Sequence, residues 1–423
     1  MRILVLTGLL LIGFFTQAQV LPVFSQPEVS RIEKTLASDD MQGRKVFTPG
    51  IEKAAGFIRN EFAEAGLKPL PGASDYNQQF FMLAPGSTEV TAALDSIPLD
   101  KKNIAVFSTD SSLSVSNSSN YKKIILKNED EFRRNFFSYL ESDQNLLILV
   151  DSSIARRFSR LANFHMPQFE GSGNHIFILT SIDPQQYQIQ VKQTINRKSL
   201  TNLAGIIPGK SRPEEYVIFS AHYDHLGIGT PDATGDSVFN GANDDASGVT
   251  AVITLANYFR QLNNNQRTLV FVAFTAEEIG EFGSAYFSRK MDPGKVVAML
   301  NIEMIGTESK WGKNSAYITG YDKTDLGAIL QRNLLNSPFR FYPDPYPQQM
   351  LFLRSDNASL AKKGVPAHTI STSKMDSEKY YHTQGDAVET LDLNNMTEII
   401  RAIGLSAGSI ISGTDTPQRV KTE

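Results

Sequence analysis

At 423 residues the chain is longer than one hydrophobic core usually grows, so a main domain with an insertion or a second lobe is expected. Lysine and arginine number 41 against 45 acids, a net charge of -4, which gives no electrostatic footing for nucleic acid or an anionic membrane as a partner. Cysteine is absent, which excludes a disulfide framework, a thiol nucleophile and thiolate-held zinc, and leaves histidine and carboxylate as the ligands for any metal.

The N-terminus, MRILVLTGLLLIGFFTQAQV, has one basic residue, an apolar run from Ile3 to Phe15, and the small-x-small signal of Thr16, Gln17 and Ala18. Residues 1–18 read as a secretory signal peptide cut after Ala18, which predicts export to the periplasm or beyond the cell. The apolar run is short for a membrane span and no second stretch reaches spanning length, so no stable span is expected after cleavage.

Residues 27–89 read as the N-terminal part of the main domain. Two helical pieces are expected between 27 and 66; in the second, Ile51, Ala54, Ala55, Ile58, Phe62 and Ala65 recur at helical spacing before Gly66 and Pro69. From 90 to 196 the texture changes to short runs, NIAVFS, KKIILK, NLLILV and HIFILT, separated by serine-rich and polar stretches. This segment reads as a β-rich insertion with its own small sheet. Residues 197–412 alternate strand and helix, which predicts an α/β domain built on a mostly parallel mixed central sheet flanked by helices. Residues 413–423 are polar and are expected to fray.

Chemistry in such a sheet gathers where strands end and helix N-termini point inward. YVIFSAHYDHLG ends in His222, Asp224 and His225; TLVFVAFTAEE ends in Glu277 and Glu278; AMLNIE ends in Glu303. NGANDDASG brings Asp244 and Asp245 to a helix start, and YYHTQGD brings Tyr381 and His382. Each has an ordinary reading alone: a core histidine, a helix cap, a solvated acid. Together, acids and histidines so close would repel or titrate unless a cation lay between them. Two zinc ions balance the count, because Asp244, Glu278, Glu303 and a bridging hydroxide supply four negative charges and neutral His222 and His382 complete the shells. Glu277 then stays outside the ligand set, free to move a proton.

The ordered set HYDH (222–225), GANDDASG (241–248), TAEEIGEFGSAYF (275–287), NIEMIG (301–306), RSDNASLAKKGVPA (354–367) and YYHTQGDAVETLD (380–392) resembles the M28 family of co-catalytic zinc peptidases, and LASDDMQGRKVFTPG is an N-terminal echo of it. The resemblance implies a zinc-exopeptidase, phosphorylase/hydrolase-like fold with 197–412 as the catalytic domain and 90–196 as a lid or PA-like subdomain. It implies an exported zinc-dependent exopeptidase holding two Zn2+ per chain, an aminopeptidase acting on peptide or protein N-termini through a metal-bound hydroxide. Asp244 would bridge the ions, with His222 and Glu303 on one and Glu278 and His382 on the other; Glu277 would be the general base and Tyr381 an oxyanion donor. Asp224 would fix the tautomer of His222 from behind, Asp245 would cap the helix, and the Asp244–Asp245 peptide would be cis. A glutaminyl cyclase-like single-zinc acyltransferase, and a carboxypeptidase or dipeptidase of the same fold, are the alternatives. Two departures from the family pattern stand out: Glu303 where aspartate is commoner, which alters the reach toward a substrate amine, and Asn357 and Leu360 where a histidine and an aromatic are usual, which predicts a changed pocket wall. His165, His175 and His368 read as structural.

Overall fold

The computed structural model describes residues 23–161 and 166–421. The signal-peptide reading of residues 1–18, and His165, lie outside the described residues.

In chain order the strands that matter are β1 Asn77–Leu94, β2 Ile104–Phe107, β3 Lys122–Leu126, β4 Leu146–Val150, β5 His175–Leu179, β6 Tyr187–Ile207, β7 Arg212–His222, β8 Arg267–Phe274, β9 Val296–Ile302, β10 Ser315–Ile318, β11 Arg340–Pro343 and β12 Ala367–Ser371. The large sheet runs in the order β11, β10, β12, β9, β7, β8, β6, β1. Its centre, β12 to β8, is parallel, and antiparallel pairings at β10, β6 and β1 make the whole sheet mixed. This is the α/β sheet flanked by helices that the strand and helix alternation predicts.

Strand β8 shows why the centre holds. All eight of its residues are buried, and they alternate: Leu269, Phe271 and Ala273 enter the core under one set of helices, while Val270, Val272 and Phe274 enter the core on the other face. A strand covered on both sides reads as a continuous apolar run for this reason. The first face is covered by α1 (Gln26–Leu36), α2 (Pro49–Glu64), α4 (Ser247–Leu262) and α6 (Leu393–Ser406), taking α3 as Glu129–Leu140 and α5 as Phe282–Lys290. In α2 the buried residues include Ile51, Ala54, Ala55, Ile58 and Phe62, the stripe expected from spacing. Phe219 of β7 stacks between Phe259 of α4 and Phe271 of β8, at centroid distances of 5.4 and 5.6 Å.

The four short apolar runs of the 90–196 segment are strands β2 to β5, and they form a separate four-stranded sheet in the order β2, β5, β4, β3. Helix α3 covers it with Phe132, Phe136 and Leu140, spaced four apart, so this unit has a core of its own. Strands β1 and β6 pair from Asn77 with Leu203 to Leu94 with Tyr187, with one register shift between Gln193 and Ile195, and run from the large sheet toward this unit. The textural boundaries at 90 and 196 therefore fall inside strands.

The C-terminal tail departs from the fraying expected of it. The guanidinium of Arg267 donates to the carbonyls of Ile410 and Asp415 and to the Thr416 hydroxyl at 2.6–2.7 Å. Farther on, the Gln418 amide meets Asp325, Arg419 reaches the Val296 carbonyl, and the Val420 amide meets the Gly364 carbonyl. Polar composition here supplies hydrogen-bonding groups that tie the segment across the domain.

Candidate metal centre

The predicted residues converge at the carboxyl ends of the parallel strands. His222 is the last residue of β7, Glu277 and Glu278 lie in the loop after β8, Glu303 follows β9, and Asp244 precedes α4. Asp244, Glu277, Glu278, Glu303, Tyr381 and His382 line one cleft; His222 and His225 lie buried behind it.

Asp244 is the hub. Its Oδ1 lies 3.2 Å from His222 Nε2 and its Oδ2 lies 3.3 Å from His382 Nε2, so the two carboxylate oxygens are divided between two histidines. The second histidine is also 3.0 Å from Glu278 Oε2. Donor atoms bound about 2.0 Å from one tetrahedral ion sit about 3.3 Å from each other. Moreover, His222 Nε2, His382 Nε2, Asp244 Oδ2 and Glu303 Oε2 are buried without an aligned hydrogen-bond partner. Nitrogen and oxygen donors, orphaned and spaced in this way, fit a zinc-type cation.

The electrostatics agree. Burial opposes charge on His222, yet Glu277, Asp244 and Asp245 hold its pKa well above the usual imidazole range. The carboxylates of Asp244 and Glu278, both close to its Nε2, push His382 up to about 10. Burial of Asp244 is outweighed by His222 and His382, which keep its carboxyl far below the ordinary value. Glu277 and Glu303 go the other way: burial, with further acids close by, raises Glu277 well above the usual range and Glu303 to about 7. Two acids that resist ionising beside two histidines that resist neutrality mark a site lacking positive charge at its centre.

The Asp244–Asp245 peptide is cis, as the resemblance implies, and the two acids part ways as expected. Asp245 turns inward, its Oδ1 accepting the amides of Gly248 (3.0 Å) and Met304 (3.1 Å) and its Oδ2 the amide of His222 (3.3 Å). It therefore caps the first turn of α4 and also ties β7 and β9 to that turn.

Asp224 needs a correction. His222 Nδ1 meets the backbone carbonyl of Asp224 at 3.0 Å, whereas the Asp224 carboxylate is 3.9 Å away. A carbonyl only accepts, so it fixes the Nδ1–H tautomer and frees Nε2 for Asp244. The Asp224 carboxylate instead accepts the amides of Glu277 (3.1 Å) and Glu278 (3.4 Å), joining the two loops that end β7 and β8. The altered pocket wall is also overturned. Asn357 is buried, donating to the carbonyls of Phe352 and Ala367, and Leu360 packs in the core beneath the sheet; neither lines the cleft. His368 is likewise a strand residue held between Thr319 and Thr324, and His175 meets the Ser142 carbonyl.

Three further residues shape the centre. Arg44 is fully buried and donates to the carbonyls of Leu36, Tyr223, Asn240 and Gly241 at 2.5–2.9 Å, clamping the two segments that lead to the histidine and aspartate pairs. Asp386 accepts the amides of Asn243 and Asp244. His225, the second histidine of HYDH, joins Asp244 and Glu278 in a trio compact enough to hold a metal. The motif itself signals His225 and Asp386; Arg44 sits in the N-terminal echo, where no spacing rule marks it out.

A hydrolytic metal centre at the carboxyl ends of the central strands of a mixed sheet is the class this arrangement defines. Residues 202–406 match the model of Peptidase family M28, so this part of the chain is an M28-type peptidase domain. A probable leucine aminopeptidase of Arthroderma otae is 28% identical over 222 residues, covering 51% of this chain and 58% of that protein, so the chain spans little more than half of this relative. A zinc aminopeptidase from Bacillus subtilis superposes with a TM-score of 0.55 at 15% identity, covering 94% of this chain and 98% of the other. A glutaminyl cyclase from Porphyromonas gingivalis superposes at 0.51 with 13% identity, covering 92% and 99%. At these identities the likeness to the two structures is one of fold.

Proposed function

We propose that the chain is an exported aminopeptidase that binds two zinc ions and releases residues from the free N-termini of peptides. The observation that carries this reading is the division of Asp244 between His222 and His382, which gives one carboxylate two histidine-flanked faces. His222, Asp244 and Glu303 would hold one ion, and Asp244, Glu278 and His382 the other. When bound, such ions polarise a scissile carbonyl and lower the pKa of water.

The protein groups divide the remaining work. Glu277, half-buried at the cleft wall, takes a proton from the attacking water and returns it to the leaving amine. Asp224 holds the Glu277 amide, so this carboxylate is aimed from its backbone. Tyr381 stacks on His382 with centroids 3.9 Å apart, which fixes its hydroxyl at the cleft for donation to the developing oxyanion. Tyr317, Leu351 and Met375 supply the surface for a substrate side chain. Export rests on the N-terminal sequence, and no helix among the described residues is long and apolar enough to cross a membrane.

The test is zinc stoichiometry of the purified chain, paired with unblocked and N-blocked aminoacyl substrates before and after chelation. About two zinc per chain with chelator-sensitive cleavage of the unblocked set alone supports the reading. One zinc with cyclisation of N-terminal glutamine moves it to the cyclase class, and cleavage from the C-terminus or of dipeptides alone moves it to another exopeptidase.

A further inference from the structure

His225 lies in the compact trio with Asp244 and Glu278 but is neither a ligand nor a proton carrier in the reading above. It is fully buried, and its amide is held by the Arg44 carbonyl at 3.2 Å. Its ring lies against Gly241, where an added Cβ would come within 2.5–2.6 Å of the imidazole and where φ is +56°. Glycine at that position is thus required both for the backbone turn and for the ring to fit. Nδ1 lies 2.7 Å from Glu278 Oε1, while Oε2 of the same carboxylate faces His382 at 3.0 Å.

Two features decide what this contact is. A separation of 2.7 Å matches a charge-assisted N–H···O bond and is well under the roughly 3.3 Å expected between two ligands of one tetrahedral ion. Nε2 is buried without a partner, so a proton placed there would be stranded while the Nδ1 lone pair faced a carboxylate. The proton therefore sits on Nδ1, pointing at Glu278.

We propose that His225 is a positioning residue of the metal centre: its Nδ1–H holds Oε1 of Glu278, so that Oε2 alone is presented beside His382 and Asp244. This rests on the metal-centre reading above. A glutamate has three side-chain torsions, and an outer donor that takes one oxygen removes both its rotational freedom and the alternative of binding through two oxygens.

The test compares His225→Leu, which removes the donor, with His225→Asn, whose amide nitrogen falls near the Nδ1 position. Zinc affinity of the full-length protein is measured by competition with a chromophoric chelator, with circular dichroism as the check on folding. We expect His225→Leu to weaken the weaker-held zinc by about 10- to 100-fold and His225→Asn to stay within a few-fold of the native chain. Unchanged affinity in His225→Leu overturns the proposal. So does equal weakening in both variants, which makes the imidazole itself a ligand or a packing element. Should His225→Leu fail to fold, His225→Gln, with its nitrogen displaced toward the Nε2 position, serves as the variant without a correctly placed donor. A native chain that binds no zinc overturns the metal-centre reading and this proposal together, whereas one zinc in the native chain overturns only the pair of ions and leaves the same comparison decisive for that ion.

Discussion

Asp386 accepts the backbone amide of Asp244 at 3.0 Å and that of Asn243 at 2.7 Å, while His382, four residues earlier in the same loop, reaches the Asp244 side chain at 3.3 Å. One loop thus grips both the main chain and the carboxylate of the central acid. Removing the Asp386 carboxyl leaves two buried amides without partners, and hydrogen bonds to a charged acceptor contribute about 1.5–3 kcal/mol each. Asp386→Ala is expected to lose about 3 kcal/mol or more of unfolding free energy in urea and to release zinc more readily on dialysis. Native zinc retention in a folded variant would mean that Asp244 needs no such support.

Glu277 and Glu278 are adjacent, yet the geometry gives them separate duties. Glu278 touches His225 and His382, whereas Glu277 faces the cleft with its amide held by Asp224. Glu277→Gln preserves size and hydrogen-bonding shape while removing the base, so kcat is expected to fall by about 10²- to 10⁴-fold. Zinc content by mass spectrometry and the melting temperature should be unchanged. Activity within a few-fold of native at equal zinc would move the base to another residue.

Much of this site is written in short-range patterns. Strand-ending acids and histidines are legible because β7, β8 and β9 are apolar runs whose polar residues begin where the sheet stops, and Asp245 is legible as a cap because α4 follows it directly. What escapes is whatever depends on backbone atoms far away in sequence. Arg44 answers to carbonyls up to 197 residues distant, and a carbonyl leaves no mark in the sequence. Asp224 looks like a partner for its neighbour His222, but its carboxylate turns to amides more than 50 residues away. Within HYDH, nothing in the spacing says which histidine faces Asp244 and which faces Glu278. Helix α3 could have been read: Asn128 caps it through the Glu131 amide, and Phe132, Phe136 and Leu140 follow at helical spacing. The β-rich runs around it obscure that signal.

The metal-free centre should bind zinc with proton release. His222 is held well above the imidazole range and His382 is pushed up to about 10, so both carry a proton at neutral pH; Glu303, at about 7, is partly protonated as well. A cation needs neutral imidazoles and ionised carboxylates, hence it must displace those protons. Apparent affinity is therefore expected to rise by about one to two powers of ten per pH unit between pH 6 and 8, and to fall as the solution is acidified. Calorimetry in buffers of differing ionisation heat counts the protons directly. A count of zero would show the histidines already neutral and remove the electrostatic case for a cation-deficient site.

Glu33 provides a stability test away from the cleft. It is fully buried in α1, with Oε2 accepting the Thr250 hydroxyl at 2.7 Å, and burial raises its pKa from 4.5 to about 8. Below pH 4.5 both the folded and the unfolded chain carry the proton, and this group leaves stability unchanged. Between 4.5 and 8 the unfolded chain sheds the proton while the folded chain retains it, so stability falls with rising pH, and the full cost stands above 8. Glu33→Gln, close in shape to the protonated acid, removes this cost and should be more stable than the native chain by a few kcal/mol at pH 9, converging on it toward pH 4.5. Denaturant unfolding of both chains at pH 5, 7 and 9 gives the difference, which cancels the contributions of other titrating groups. A variant less stable than the native chain at pH 9 would show that Glu33 ionises in the fold without that cost, its charge stabilised by Arg44, rather than being held neutral up to about pH 8.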